Sequence, residues 1–317
     1  MTAEGSTAGP AIWVEGLGRR FGEVVAVDGI DFQVDRGQLF GLVGPDGAGK
    51  TSTLRMLAGV LRPTSGDALV NGVRVVQNPE GIRDAIAYMP QRFGLYGDLT
   101  VRENLDFYAD LFGVPAAGRA ERLERLYRFS GLGSFEDRLA GKLSGGMKQK
   151  LGLSCALVHD PAILLLDEPT FGVDPVSRRD LWLILHEMIA AGVTILLSTS
   201  YLDEAERCDR VALLHQGRIV ALDAPGNLQR GLGLRLLVVD TDVPRKARDV
   251  LRGRPEARRV SLFGNAVHVL LERGSDESWI RPALEVSGVP AGDVREETPS
   301  LEDVFLELTG GAGAEAA

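Results

Sequence analysis

Eight residues constrain this chain more than anything else in it. Gly44-Pro45-Asp46-Gly47-Ala48-Gly49-Lys50-Thr51 fits the pattern G-x-x-x-x-G-K-[ST]. The apolar run Leu39–Val43 ahead of it reads as a short buried strand, and a helical pattern opens at Lys50. Strand, glycine-rich loop and helix in that order let backbone N–H groups converge on the β-phosphate of a nucleotide, and the helix N-terminus adds positive potential. Lys50 is expected to reach the β- and γ-phosphates and the Thr51 hydroxyl to ligate Mg²⁺, with Pro45, Asp46, Ala48 and Ser52 completing the cradle. The alternative is a plain glycine-rich turn in a chain with 39 glycines, but the order of the flanking elements argues against it.

A carboxylate partner is needed, and Ile163-Leu164-Leu165-Leu166-Asp167-Glu168 supplies it. An apolar strand delivers Asp167 to its carboxyl end, where it can reach Mg²⁺ through water, and Glu168 can polarise an attacking water as general base. Further apolar runs at 193–198 and 211–215 alternate with helical segments, which predicts a mainly parallel sheet. Between about 92 and 160 the pattern is helical, so a helical block is inserted into an α/β frame. Asn71-Gly72 inside 68–75 predicts a hairpin.

Leu143-Ser144-Gly145-Gly146-Met147-Lys148-Gln149 is a second phosphate-type helix start, with Ser144 as N-cap and glycines exposing backbone N–H groups. At this point the chain resembles the ATP-binding subunits of ABC transporters, whose signature is LSGGQ; Met147 stands where Gln is usual. The resemblance covers 1–224, with every family motif in order. It implies an ABC-type nucleotide-binding domain: a P-loop ATPase core, an antiparallel β subdomain and a helical subdomain. It also implies ATP and Mg²⁺ as ligands, and a head-to-tail pair of ATPase domains in which Ser144, Gly145 and Gly146 face the ATP of the partner subunit. Gln91 fits the Q-loop residue that senses Mg²⁺ and γ-phosphate, and Asp174 the D-loop that crosses the dimer. Phe21 fits the aromatic that stacks on adenine, or else is a core Phe. The segment Tyr96–Leu105 resembles the surface that receives the permease, or is an amphipathic helix capped by Thr100 with Glu103 in its first turn.

One position departs from the family. After strand 193–197 the switch loop normally carries His, and this chain reads Ser198-Thr199-Ser200-Tyr201-Leu202-Asp203. An imidazole can hold the γ-phosphate and the water in line; a Ser hydroxyl is shorter and never cationic. Ser200 with Asp203 is expected to form a capping box for the next helix. The expectation is an impaired ATP site on this chain's own phosphate loop, with its signature completing a competent site on a partner ATPase. A homodimer that hydrolyses slowly through Glu168 is the alternative, as is an ATP-dependent clamp or the ATPase of a non-transport complex.

Tyr201-Leu202-Asp203-Glu204-Ala205-Glu206 and Thr298-Pro299-Ser300-Leu301-Glu302-Asp303-Val304-Phe305 resemble the drug-resistance group, exporters with ABC-2-type permeases. After Pro225-Gly226 the pattern changes to strands at 234–240 and 260–271 and helices at RKARDVLRG, ESWIRPALEVSG and LEDVFLELTG. That predicts a small α+β accessory domain over 225–317, ending in a short tail. Composition then fixes the surroundings. With 44 acidic against 35 basic residues the net charge is −9, which argues against nucleic acid as a partner. No run of about 18 uncharged apolar residues exists, so the membrane part is expected on other chains and this one at the cytoplasmic face as a peripheral subunit. MTAEGSTAGP has no basic region ahead of an apolar core, so no signal peptide is expected. Cys155 and Cys208, both in helical-looking segments, imply a reduced compartment. The four histidines show no metal-ligand spacing and read as structural. The Arg-rich stretch 245–259 reads as a solvated face or, alternatively, a lipid contact.

Overall fold

The computed structural model describes residues 9–310; the tails expected at 1–10 and 311–317 fall outside that range except for Gly9 and Pro10. The chain divides at Leu222/Asp223 into two compact units. In chain order the first carries β1 (Ile12–Phe21), β2 (Val24–Val34), β3 (Leu39–Val43), α1 (Lys50–Leu57), β4 (Ser65–Val70), β5 (Val73–Arg74) and β6 (Ile86–Met89). There follow α2 (Val101–Leu111), α3 (Arg119–Ser130), α4 (Gly145–Ala156), β7 (Ile163–Asp167), α5 (Pro175–Ala190), β8 (Thr194–Thr199), α6 (Leu202–Ala205), β9 (Arg210–His215) and β10 (Arg218–Asp223). The second unit carries α7 (Pro225–Gly231), β11 (Leu234–Asp240), α8 (Pro244–Leu251), β12 (Arg259–Phe263), β13 (Ala266–Glu272), α9 (Ile280–Val286), β14 (Val294–Glu297) and α10 (Leu301–Leu308).

A six-stranded sheet in the order β10-β9-β3-β8-β7-β6 forms the centre of the first unit. Its β9-β3-β8-β7-β6 pairings are all parallel. Strands β3, β7 and β8 are buried at every residue, as parallel strands covered on both faces must be. A four-stranded antiparallel sheet, β2-β1-β4-β5, packs beside them. Its turn at Asn71 (φ 49°) and Gly72 (φ 80°) has the two left-handed residues of a type I′ hairpin, as the sequence predicts. Helices α2–α4 are the inserted helical block. The α2 start is a complete capping box: Thr100 accepts from the Glu103 N–H and the Glu103 carboxylate accepts from the Thr100 N–H.

The second unit runs β11-α8-β12-β13-α9-β14, with sheet order β12-β13-β11-β14 and its three strand pairings antiparallel. That is the interleaved split-βαβ arrangement of ferredoxin-like domains. Leu237, Val239, Val267, Val269 and Leu271 form one core with Ala247 and Leu251 of α8 and Ala283 and Leu284 of α9. Two expectations need correction here. The run 260–271 is not continuous strand but a hairpin turned at Gly264, whose φ of 54° suits glycine. Cys208 follows α6 rather than sitting in a helix; like Cys155 it is a buried free thiol whose pKa burial pushes up.

Candidate functional site

The carboxyl ends of β3, β7 and β8 meet, and the candidate residues gather there. Gly44 closes β3, and its N–H donates to the Thr199 carbonyl at 3.2 Å. A Cβ on Gly44 would lie 2.2 Å from the Leu214 carbonyl oxygen, and one on Gly49 (φ 107°) 2.5 Å from that of Ala26. The loop is therefore wedged between β9 and β2, and only glycine lets its backbone pass. Pro45, Asp46 and Gly47 (φ 78°) turn over the strand end, Ala48 is buried, and Gly49 delivers the chain into α1 with Lys50, Thr51 and Ser52 in its first turn.

Lys50 is 4% exposed. Its ammonium donates to the Gly44 and Pro45 carbonyls at 2.6 and 3.1 Å and lies 3.0 Å from the Glu168 carboxylate. Glu168 is held in the left-handed region, at φ 49°. That conformation costs a non-glycine residue roughly 1–2 kcal/mol and recurs at functional sites. Its N–H is fixed by the Ser198 carbonyl and hydroxyl at 3.2 and 3.0 Å. The Ser198 hydroxyl in turn donates to Asp167 at 2.8 Å, and the Thr51 hydroxyl donates to the same carboxylate oxygen at 3.0 Å. Two hard oxygen donors thus stand side by side, which is the donor chemistry magnesium takes alongside phosphate and water oxygens. Among the described residues no cluster of three or more His, Cys, Asp or Glu side chains could hold a metal by itself. Burial and then the Asp167 charge push the Tyr88 phenol up, so it faces the site neutral and protonated at neutral pH.

Gln91 is exposed, two residues beyond β6, whose Met89 pairs with Leu166 of β7; its side chain makes no hydrogen bond among the described residues. Phe21 ends β1 with its ring 46% exposed and the Arg19 guanidinium 4.4 Å from the ring centre, so the core alternative is excluded. Ser200 follows β8 half-buried. It does not cap α6: the N-cap is Tyr201, without a side-chain bond, and the Tyr201 N–H is taken by the Thr199 hydroxyl at 3.0 Å. Helix α6 begins one residue too late for the expected capping box to form, so that expectation is corrected.

The signature residues lie elsewhere, at the start of α4, packed against the start of α5. Ser144 caps α4 by accepting from the Met147 N–H, and Asp174 caps α5 by accepting from the Ser177 N–H at 2.9 Å, which lowers its carboxyl pKa. Gly145 approaches the Gly172 carbonyl, and a Cβ on Gly146 would lie 2.2 Å from the Ser177 hydroxyl. Lys150, which has no role legible in the sequence, joins the two helices through Asp180 at 2.7 Å. The residues that sequence reasoning missed are Ser198 and the threonines of the β7 and β8 ends. Only the strand register, Asp167 opposite Ser198, brings them together, and no local motif marks it.

The ABC transporter family model matches residues 27–171. The chain is 45% identical over 306 residues to a probable multidrug ABC transporter ATP-binding protein, YbhF, of Escherichia coli, covering 95% of this chain and 52% of that relative. It thus spans about half the length of that relative. It is 38% identical to the Nod factor export ATP-binding protein I of Ralstonia nicotianae, covering 96% of this chain and 95% of that protein. It is 37% identical to the daunorubicin resistance ATP-binding protein DrrA2 of Streptomyces coeruleorubidus, with 95% and 96% covered. Among solved structures, an ATP-binding subunit of an ABC transporter superposes with a TM-score of 0.64 at 34% identity, over 70% of this chain and 93% of that one. An ATP-binding cassette in its ADP conformation superposes at 0.61 and 25% identity, over 67% and 90%. With the phosphate loop, the paired carboxylates and the fold all in agreement, this chain belongs to the ABC transporter family.

Proposed function

We propose that this chain powers a membrane exporter by binding and hydrolysing ATP at the phosphate loop, as one ATPase of an asymmetric pair. The observation that carries the reading is Lys50, buried and held between two loop carbonyls and Glu168 at the mouth of the parallel sheet. An incoming γ-phosphate offers Lys50 a stronger acceptor than a carbonyl. The loop N–H groups and the α1 N-terminus bind the β-phosphate. Once Lys50 turns to phosphate, Glu168 is released to accept a proton from water. Thr51 and Asp167 would hold Mg²⁺, which when bound neutralises phosphate charge; Gln91 reports its presence to the helical block. Phe21, exposed at the end of β1, supplies the stacking face for adenine. Ser144, Gly145 and Gly146 present N–H groups to the nucleotide of a partner subunit, and Asp174 lies in the segment that meets it.

The cargo class follows the multidrug and drug-resistance relatives: small hydrophobic molecules moved by ABC-2-type permease subunits on separate chains. No helix among the described residues is long and apolar enough to cross a membrane. On this reading the chain docks on the permease at the cytoplasmic face. Ser200 argues for the asymmetric pair, because its hydroxyl neither carries charge nor reaches as far as imidazole. In the purified complex of this chain with permease and partner ATPase, Ser200→His raises the ATP turnover of this site at least about threefold on this reading. Equal turnover of the two complexes rejects the impaired site, and a stable, fully active homodimer with permease rejects the asymmetric pair.

A further inference from the structure

A second carboxylate is buried beside the site and takes no part in the chemistry above. Glu204, on the short α6, is 1% exposed. One of its oxygens accepts from the Thr170 hydroxyl at 2.9 Å and from the Thr199 hydroxyl at 2.8 Å. The other lies 3.5 Å from the Arg178 Nε and has no hydrogen bond, and that Nε is likewise buried and unbonded. The Arg178 guanidinium sits over the Tyr201 ring at 4.4 Å. Each partner belongs to a different part of the site. Thr170 is two residues beyond Glu168, in the turn where the Phe171 N–H bonds the Glu168 carbonyl. Thr199 immediately precedes Ser200, accepts from the Tyr201 N–H, and takes the Gly44 N–H on its carbonyl. Arg178 is in the first turn of α5, the helix that Asp174 caps.

Burying a carboxylate is unfavourable unless it is paired and hydrogen-bonded. Two hydroxyls and one guanidinium from three segments meet that demand here only while the segments keep their spacing. We infer that Glu204 is a positioning residue for ATP hydrolysis: it holds the Glu168 turn, the switch loop at Ser200 and the D-loop helix as one block, with Arg178 as its link to α5. The inference rests on the ATPase reading and adds to it a residue that touches neither nucleotide nor metal. Because the block sets alignment rather than affinity, its loss is felt in kcat and not in KM.

Glu204→Gln isolates the charge. The amide oxygen still accepts both threonine hydroxyls, and its NH₂ offers Arg178 nothing. Arg178→Gln removes the other partner. In the complex with permease and partner ATPase, each single variant is expected to lower kcat about tenfold with KM for MgATP within about twofold, and the double variant to fall no further than the worse single. A thermal midpoint close to the unmodified chain's confirms that each variant is folded; Glu204→Ala, which also drops the hydroxyl bonds, is expected to be worse in both kcat and midpoint. Glu204→Gln turnover equal to the unmodified chain's, a rise in KM at constant kcat, or kcat losses that multiply in the double variant each overturn the inference. An unmodified chain that neither binds nor hydrolyses MgATP overturns the ATPase reading as well, whereas an active one with an unaffected Glu204→Gln overturns this inference alone.

Discussion

The two units bury charge for different ends. In the first, Lys50, Asp167, Glu168 and Glu204 are all buried and, with Thr170, Ser198 and Thr199, crowd the carboxyl ends of the parallel strands. In the second, Asp303 is the one buried charged residue among those described. Asp303 is satisfied by its surroundings: it accepts from the Ser300 N–H and hydroxyl at 2.9 and 2.8 Å, completing the α10 capping box, and meets His268 Nδ1 at 3.1 Å. The first cluster is not at rest in that sense. Glu168 is in the left-handed region, Lys50 leans on carbonyls, and one Glu204 oxygen has no hydrogen bond. Buried charge that closes locally holds a fold together. Buried charge kept under strain at a sheet mouth serves a site, either by meeting the ligand or by holding in place the groups that do.

The largest test of that contrast is Lys50→Ala. If Lys50 exists for phosphate, MgATP turnover by the assembled complex falls at least about 100-fold, the scale of losing one preorganised electrostatic contact in a site. A steady-state ATPase assay with nucleotide titration reads it. Were Lys50 an Asp303-like support, the chain would lose thermal stability while its folded fraction kept its turnover, and the contrast would break. Asp303→Ala is the mirror experiment. It removes a capping box and leaves His268 without its carboxylate, so the unfolding free energy falls by about 2 kcal/mol. Urea unfolding followed by circular dichroism measures this, and turnover per folded molecule is expected to stay constant.

How far the sequence reveals each kind of burial depends on where the information lies. Gly44–Thr51 is legible because all its requirements are local: a strand, left-handed glycines and a helix start within a dozen residues. Strand β7 is legible to its last residue because four apolar residues run into Asp167. The Ser198, Thr199, Thr170 and Glu204 set is not legible, since those residues become neighbours only when β7 and β8 pair in parallel and α6 folds back on them. Ser200 shows the same limit from the other side. S-x-x-D is a sound local signal for a cap, but the helix starts at Leu202 with Tyr201 as its N-cap, and the Tyr201 N–H is held by the Thr199 hydroxyl that Glu204 anchors. In the second unit the αβ composition is plain, but β14 is a short edge strand reading Val-Arg-Glu-Glu, with no apolar alternation to mark it. The hairpin within 260–271 is hidden because apolar residues flank its turn on both sides.

The smallest effect separates structural burial inside the first unit from burial at its site. His159 lies just beyond α4, its ring stacked on Phe112 at 4.1 Å. Its Nε2 lies 3.0 Å from the Ile86 carbonyl, and an oxygen that only accepts makes Nε2 the protonated nitrogen. Nδ1 is buried with no hydrogen-bond partner. Protonating it would bury an unpaired N–H, and burial accordingly lowers the His159 pKa, with the Ile86 bond opposing. The sign follows from linkage: the unfolded chain takes up the proton first, near pH 6.5, so stability is complete above that pH and declines as pH falls through it towards the lower folded value. Thermal midpoints measured from pH 8 to pH 6 should therefore drop slightly more for the native chain than for His159→Gln, which keeps a donor for Ile86 and has nothing to titrate. Every other titrating group is common to both chains, so the difference between the two curves belongs to His159. ATP turnover should change equally with pH in both chains, because this histidine shapes the seam between the helical block and β6 and touches nothing at the strand ends.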